Sequence, residues 1–170
     1  MVELFIFQGT PIPAWFDIKS FDPVEAQTLP EDDLGIKSSS AAIHNVIQGE
    51  IASGISSSKI VVGGFSQGCA MAIYTTLTNK NDMGGLLAMS GFFALRNEFP
   101  AAAVEVNKDV PTLLAHGTAD PVAPYNPVAV LTNQLMSQFM TNLDFKTYIG
   151  LGHDVNEQET ADVIAFLASL

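Results

Sequence analysis

Basic residues are scarce in this sequence of 170 residues. Seven lysines and arginines stand against 18 aspartates and glutamates, which gives a net charge of −11. Proteins that bind nucleic acid need clustered basic residues to neutralise phosphates, and anionic membrane surfaces attract the same residues. The seven basic residues here are scattered along the chain. The composition therefore argues against nucleic acid as a partner and disfavours an anionic membrane surface.

Disulfides, membrane-spanning segments and leader sequences also have no support in the sequence. Cys69 is the one cysteine, so no disulfide can form within the chain, which is compatible with a reducing compartment. No apolar stretch approaches the roughly 18 residues that cross a bilayer. The first residues, "MVELFIF", lack the basic region of a signal peptide. We therefore expect a soluble, cytoplasmic protein with no stable membrane insertion.

Neither a metal site nor a nucleotide cofactor is predicted. The three histidines and the one cysteine lack the spacing of metal ligands, and no Gly-x-Gly-x-x-Gly segment occurs. Hydrophobic residues make up 48% of the chain and charged residues only 15%, which suits strands that are buried on both faces. The length predicts a single domain, residues 1–170.

Short apolar runs alternate with segments of helical spacing along the chain. The predicted strands are residues 2–7, 59–64, 85–90, 111–116 and 144–149. The predicted helices are 33–53, 67–79, 127–140 with Pro127 as first residue, and 156 to the end with Glu159 in a capping box. This alternation indicates a parallel sheet covered by helices on both faces, with the ligand site at the carboxyl ends of the strands. The polar residues that follow strands are Ser66, Ser90, His116, Asp120 and His153.

The segment Gly64-Phe65-Ser66-Gln67-Gly68 lies between a predicted strand and a predicted helix. It matches the Gly-x-Ser-x-Gly pattern of a nucleophile elbow, in which a serine is exposed on a strained turn. Both glycines are expected because the neighbouring strand and helix would crowd a side chain at either position. The N–H of Gln67, at the start of the helix, is the expected oxyanion donor. The alternative is a structural turn whose serine merely caps the helix.

A nucleophilic serine needs a base and an acid that orients the base. His44 lies inside a predicted helix and His116 is placed to support the following loop, so His153 is the best candidate for the base. Asp120, in "HGTADPVAP", follows a strand and lies between Ser66 and His153 in the chain. This is the order of the triad in α/β-hydrolases, where the imidazole takes the serine proton and the carboxylate fixes its tautomer. A loop histidine contacting the last helix and an ordinary turn aspartate are the alternatives.

Four segments of the chain form one larger pattern: "GIKSSSAAIHNVIQGEIASGISSSKIVVGGFSQGCAMAIYTTL", "LLAMSGFF", "LLAHGTADPVAP" and "FKTYIGLGHDVNEQETADVIAFL". Together they resemble the carboxylesterase/phospholipase family of α/β-hydrolases, which includes bacterial carboxylesterases, lysophospholipases and acyl-protein thioesterases. The resemblance extends from "PAWFDI", residues 13–18, to the end of the chain. It implies an α/β-hydrolase-like fold with a mostly parallel central sheet flanked by helices.

The resemblance also implies an activity and a site. We expect a serine carboxylesterase that hydrolyses short- to medium-chain acyl esters through an acyl-enzyme intermediate, without a cofactor. Thioesters and lysophospholipids are further candidate substrates. The triad would be Ser66, Asp120 and His153. The resemblance places Trp15 near the acyl groove, although the residues alone allow it equally to be a core anchor, and Phe65 is the other residue expected to bind substrate.

One segment of the family pattern has no counterpart in this sequence. The family's first strands and an "LHGLGD"-type segment, whose backbone N–H completes the oxyanion hole, are missing, so we expect an N-terminally truncated sheet. Three explanations stay open: "ELFIFQ" lies beside "IVVGGF", a second chain covers the edge as in a homodimer, or this is a fragment of a longer hydrolase. The Gly9-Thr10 loop is a hypothetical source of the second oxyanion N–H.

Two other functions remain open at this point. A catalytically impaired, hydrolase-like binding protein would keep the groove but lack a complete oxyanion hole. Alternatively, Cys69 would be the nucleophile of a cysteine hydrolase. Its place about one helical turn past the elbow suits a small buried apolar residue better.

Overall fold

A short antiparallel hairpin precedes the main sheet in the computed structural model, which describes residues 2–6, 10–20, 22, 25 and 29–170. Its strands, β1 (Val2–Ile6) and β2 (Thr10–Ala14), pair with each other in a sheet of their own. The explanation in which "ELFIFQ" lies beside "IVVGGF" is therefore wrong. Thr10 is the first residue of β2, whereas Gly9, the other half of the hypothetical oxyanion loop, lies outside the described residues.

The main sheet contains four parallel strands in chain order. They are β3 (Val61–Phe65), β4 (Gly85–Met89), β5 (Thr112–Gly117) and β6 (Leu143–Tyr148). The residues of β4 and β5 are almost all buried, as expected for central strands covered on both faces. The predicted α/β architecture with a parallel sheet is confirmed. Within the described part of the chain β3 pairs only with β4, so a homodimer across its outer edge stays a prediction.

Four α-helices accompany the strands in the described part of the chain. They are α1 (Asp33–Ala52), α2 (Gln67–Thr78), α3 (Val130–Met136) and α4 (Glu157–Ser169). Across the ranges that the structure describes, no helix combines the length and the apolarity needed to cross a bilayer.

The third helix is shorter than its sequence pattern predicts. The spacing predicts one helix over residues 127–140, with Pro127 as its first residue. Instead, a π-helical turn (Tyr125–Ala129) comes first, and Asn126 inside it is extended, with φ −114° and ψ 119°. The α-helix begins only at Val130, because the chain must first leave this extended residue, and it ends at Met136.

The helix that follows Ser66, α2, is buried on all sides. Every residue from 69 to 77 is buried, since α2 packs against β3, β4 and α1. One face joins a core cluster with Ile47 and Leu86, and another joins a second cluster with Phe16 and Ile36. A helix enclosed in this way needs no polar face, which explains the continuous apolar run after Ser66. The burial anchors the start of α2, and with it the carboxyl end of β3.

The last helix begins with half of the predicted capping box. The side chain of Asn156 accepts a hydrogen bond of 2.8 Å from the N–H of Glu159. The Glu159 carboxylate, however, does not reach back to the cap: it is fully buried, and neither oxygen has a hydrogen-bond partner among the described residues. Burial raises the pKa of Glu159 to about 7, and the nearby charges of Asp154 and Asp162 contribute to this rise.

Replacing Glu159 by glutamine should make the protein less sensitive to pH. A carboxyl whose pKa is raised in the fold binds its proton more tightly when folded, so stability falls as pH rises from the ordinary value of 4.5 to about 7. Glu159→Gln removes this loss. Its melting temperature, relative to wild type, should rise by about 4–8 °C between about pH 5 and pH 8.

Thermal denaturation followed by circular dichroism measures this difference. Glu157→Gln is the matched control, because Glu157 is exposed in the first turn of the same helix. Its melting difference from wild type should stay constant with pH. A constant difference for Glu159→Gln as well would contradict the role given to the buried carboxyl.

Candidate active site

Ser66 lies on the sharp turn between β3 and α2. Its backbone has φ 57° and ψ −119°, a conformation with positive φ that a residue with a Cβ rarely adopts. The Ser66 N–H donates to the carbonyl of Met89 at 2.9 Å, and its own carbonyl accepts from the N–H of Cys69 at 3.0 Å. The strained residue is thus held between the neighbouring strand β4 and the first turn of α2, as a nucleophile elbow requires.

The two glycines of the elbow are under different constraints. A Cβ on Gly64 would lie 2.1 Å from the carbonyl oxygen of Gly68, so no side chain fits there. A Cβ on Gly68 would have no neighbouring atom within 4 Å, so the expectation that both positions are crowded is wrong for Gly68. Gly91 is a second crowded glycine, which the sequence pattern missed: a Cβ there would lie 2.4 Å from the Ser66 carbonyl oxygen.

Three side chains predicted from their chain order meet beside this turn. The Ser66 hydroxyl lies 2.9 Å from Nε2 of His153, and Nδ1 of His153 lies 2.7 Å from Oδ2 of Asp120. With Nδ1 protonated and donating to the carboxylate, Nε2 is free to accept the serine proton. The Asp120 side chain is fully buried, while the His153 side chain keeps 17% of its surface exposed at the mouth of the site.

The carboxylate of Asp120 is held by the loop that follows β5. Its Oδ1 accepts hydrogen bonds from the N–H groups of Val122 and Ala123 at 2.8 and 2.9 Å. His116 is fully buried beneath this loop, and its Nε2 donates to the carbonyl of Ala123 at 2.7 Å. Burial lowers the pKa of His116, which favours the uncharged form of the ring. His116 therefore supports the loop, as predicted, and His153 is the histidine that lies within hydrogen-bond distance of Ser66.

The candidate oxyanion donor lies at the start of α2. Gln67 is the first residue of this helix, and the first N–H groups of a helix have no partner inside it. Its side chain points elsewhere and makes two hydrogen bonds. Oε1 accepts from the N–H of Trp15 at 2.9 Å, and Nε2 donates to the carbonyl of Phe16 at 2.8 Å. No sequence signal indicates this contact, because the partners are 52 and 51 residues away.

A mainly apolar cavity of about 160 Å³ opens beside Ser66 and Gln67. Its apolar wall includes Phe16, Ile18, Phe92, Phe93, Leu131 and Leu135. Trp15 and Phe65, the residues expected to bind substrate, are not part of this lining in the described structure. Trp15 is 43% exposed, and Phe65 packs on the ring of His153 with centroids 4.7 Å apart. Substrate contact by these two side chains stays a prediction.

The structure contradicts the hypothesis that Cys69 is a nucleophile. Its side chain is completely buried inside α2, and burial raises the pKa of the thiol to about 12. The reactive form of cysteine is the thiolate, which is negligible at neutral pH with such a pKa. Cys69 packs as a small apolar residue next to Gly91.

Sequence comparisons place this chain among known hydrolases. The model of the phospholipase/carboxylesterase family matches residues 4–170. The chain is 40% identical over 162 residues to acyl-protein thioesterase 1 of Neurospora crassa, covering 94% of this chain and 66% of that protein. It is 37% identical over 145 residues to acyl-protein thioesterase 1 of Schizosaccharomyces pombe, covering 85% and 61%. The chain thus spans slightly less than two thirds of the length of these relatives.

Solved structures share the fold. Arabidopsis thaliana SOBER1 superimposes with a TM-score of 0.89 at 23% identity, covering 98% of this chain and 78% of that one. Zea mays acyl-protein thioesterase 2 superimposes with a TM-score of 0.81 at 27% identity, covering 98% and 76%. These likenesses confirm the α/β-hydrolase fold that the sequence pattern predicts.

Alanine at the two elbow glycines should have opposite effects. Gly64→Ala forces a Cβ into the backbone of Gly68 and should lower the melting temperature by at least about 6 °C or prevent folding. Gly68→Ala meets no atom and improves helix propensity, so its melting temperature should equal or exceed that of wild type. Each variant is the control for the other in thermal denaturation. Equal melting temperatures would contradict the conclusion that a side chain is crowded at position 64 and free at position 68.

Cys69 should be unreactive in the folded protein. Iodoacetamide at mildly alkaline pH should leave the native chain unlabelled and label it fully in guanidinium chloride, as measured by intact mass. Cys69→Ala should cost only about 1 kcal/mol of stability, because one small buried group is lost. Native-state labelling at the rate of the denatured chain would show that the thiol is accessible and that its assigned burial is wrong.

Proposed function

This chain belongs to the phospholipase/carboxylesterase family, and we propose that it is a serine hydrolase of carboxylic esters and thioesters. The observation that carries the proposal is the hydrogen-bonded series Ser66–His153–Asp120, whose Ser66 lines an apolar cavity. Ser66 on its strained turn supplies a nucleophile, and the cavity next to it offers an apolar surface to an acyl chain. Since the relatives are longer than this chain, the activity of the whole protein is part of the proposal.

The proposed reaction has two steps through an acyl-enzyme intermediate. Oγ of Ser66 attacks the acyl carbonyl carbon while Nε2 of His153 takes the hydroxyl proton. The negative charge that develops on the carbonyl oxygen is held by the N–H of Gln67. His153 then gives the proton to the leaving alcohol or thiol, and the acyl group stays on Ser66. A water molecule, deprotonated by the same imidazole, attacks this ester and releases the carboxylic acid.

The proposed substrates are short- to medium-chain acyl esters. The apolar lining supports an acyl chain, and the names of the Neurospora and Schizosaccharomyces relatives add thioesters as candidates. Both kinds of substrate pass through the same acyl-enzyme, because they differ only in the leaving group. Lysophospholipids stay a further candidate on the family membership alone.

Hydrolysis of p-nitrophenyl esters from acetate to palmitate tests the proposal. Wild type should turn over a subset of the series, and Ser66→Ala should reduce kcat by at least about 10⁴-fold because the nucleophile is lost. Asp120→Asn should also lose about 10⁴-fold, since the amide cannot hold the required tautomer of His153. Ser38→Ala, at an exposed position of α1, is the matched control and should keep the wild-type rate.

A folded wild type that hydrolyses no ester and no thioester of the series would overturn this function. A fluorophosphonate that fails to label Ser66 in the same preparation would then indicate a catalytically impaired, hydrolase-like binding protein. Labelling of Ser66 without turnover would place the defect after acylation.

A further inference from the structure

Part of the cavity wall is an irregular segment that follows β2. This wall segment, residues 15–18, comes directly after the last strand residue, Ala14, and contributes Phe16, Asp17 and Ile18 to the lining. Phe16 is 3% exposed, and its ring meets that of Phe92, another lining residue, edge to face at 6.1 Å. A shift of this segment would therefore change the shape of the cavity that Ser66 also lines.

Side chains, and not a strand ladder, hold the backbone of the wall segment. Gln67 binds the N–H of Trp15 and the carbonyl of Phe16. Ser39 of α1 donates to the carbonyl of Trp15, and Asp32 accepts from the N–H of Asp17 at 2.9 Å. Four polar groups of the backbone, on three successive residues, are thus satisfied by three side chains.

The three side chains connect the wall segment to two different parts of the fold. Ser39 lies within α1, and Asp32 is the N-cap of the same helix, where its Oδ1 accepts from the N–H of Gly35 at 3.0 Å. Gln67 follows the nucleophile directly in the chain and begins α2. Among these tethers, only Gln67 links the wall segment to the elbow, and its primary amide offers an acceptor and a donor to match two backbone groups.

We propose that the side chain of Gln67 is a positioning residue that sets the distance between the wall segment and Ser66, and thereby selects the length of the acyl group. The inference rests on the proposed function for its substrate. Gln67 then has two separate roles, since its backbone N–H faces the reacting oxygen and its carboxamide holds the wall. Loss of the carboxamide leaves the backbone of the wall segment with hydrogen bonds to Asp32 and Ser39 alone, so acyl chains that reach the wall lose contact more than short acyl groups do.

Gln67→Met tests the proposal, because methionine has a similar length, keeps the backbone N–H and cannot make either hydrogen bond. The ratio of kcat/KM for the octanoate and decanoate esters to kcat/KM for p-nitrophenyl acetate, whose acyl group is too short to reach the wall, should fall at least about tenfold from its wild-type value. The fall should come mainly through KM, since two hydrogen bonds that place the wall are lost. The ratio cancels any effect on the backbone N–H of Gln67, because that group acts on every ester alike. Gln67→Asn, one methylene too short for both partners, should give the same pattern if Gln67→Met folds poorly.

Gln48→Met is the matched control, since Gln48 is exposed on α1 and lies outside the cavity lining. It should leave the whole ester series unchanged. A fall in kcat of equal size for every chain length in Gln67→Met would overturn the proposal. Such a result would mean that the side chain positions the oxyanion N–H and not the wall segment.

A second measurement does not depend on ester turnover. Trp15 is the one tryptophan of the chain, and its backbone N–H donates a hydrogen bond to the Gln67 side chain. Acrylamide quenching of its fluorescence should increase in Gln67→Met and stay at the wild-type level in Gln48→Met. If wild type hydrolyses no ester, the proposed function fails, but this quenching still decides whether Gln67 holds the wall segment. Unchanged quenching in Gln67→Met would overturn the positioning role.

Discussion

The backbone of Ser66 has a φ of 57°, and three neighbouring groups keep it in that conformation. The Met89 carbonyl accepts its N–H, Gly64 leaves room for the backbone of Gly68, and Gly91 leaves room for the Ser66 carbonyl. The burial of α2 on all sides anchors the turn from the other direction. Relaxing the turn would have to displace a central strand or a buried helix. The rest of the site depends on this constraint, because it is what lifts the Ser66 hydroxyl out of the sheet edge.

Parallel strands then bring the partners of the serine to the same place. The loops after β5 and β6 carry Asp120 and His153, and both strands end at the edge where β3 ends. A carboxylate can be fully buried there because two backbone N–H groups and an imidazole N–H compensate for its lost hydration. Buried His116 supports the same loop through its hydrogen bond to the Ala123 carbonyl.

Backbone strain is concentrated around the cavity. Three residues other than glycine have positive φ values in the described structure, Ser66, Ser90 and Leu95. Ser66 and Ser90 line the cavity, and the N–H of Leu95 donates to Glu31, which lines it as well. Such residues cost free energy that the surrounding fold must supply, and they tend to occur where a site needs a set geometry. On α4, away from the cavity lining, the buried carboxylate of Glu159 is a comparable cost, since it has no hydrogen-bond partner among the residues that the structure describes.

The sequence by itself determined the features that depend on short-range pattern and on chain order. Branched strands, the strand–turn–helix around Ser66 and the order Ser66, Asp120, His153 were enough to predict the sheet and the side chains that meet at its edge. Tertiary structure alone decided that Gly64 is crowded while Gly68 is free, and that Phe16 lines the cavity instead of Trp15. It also gave the Gln67 side chain its partners at Trp15 and Phe16. The Gln67 contacts join groups that are about 50 residues apart in the chain but adjacent in the fold. The local spacing of residues carries no information about which distant segments meet.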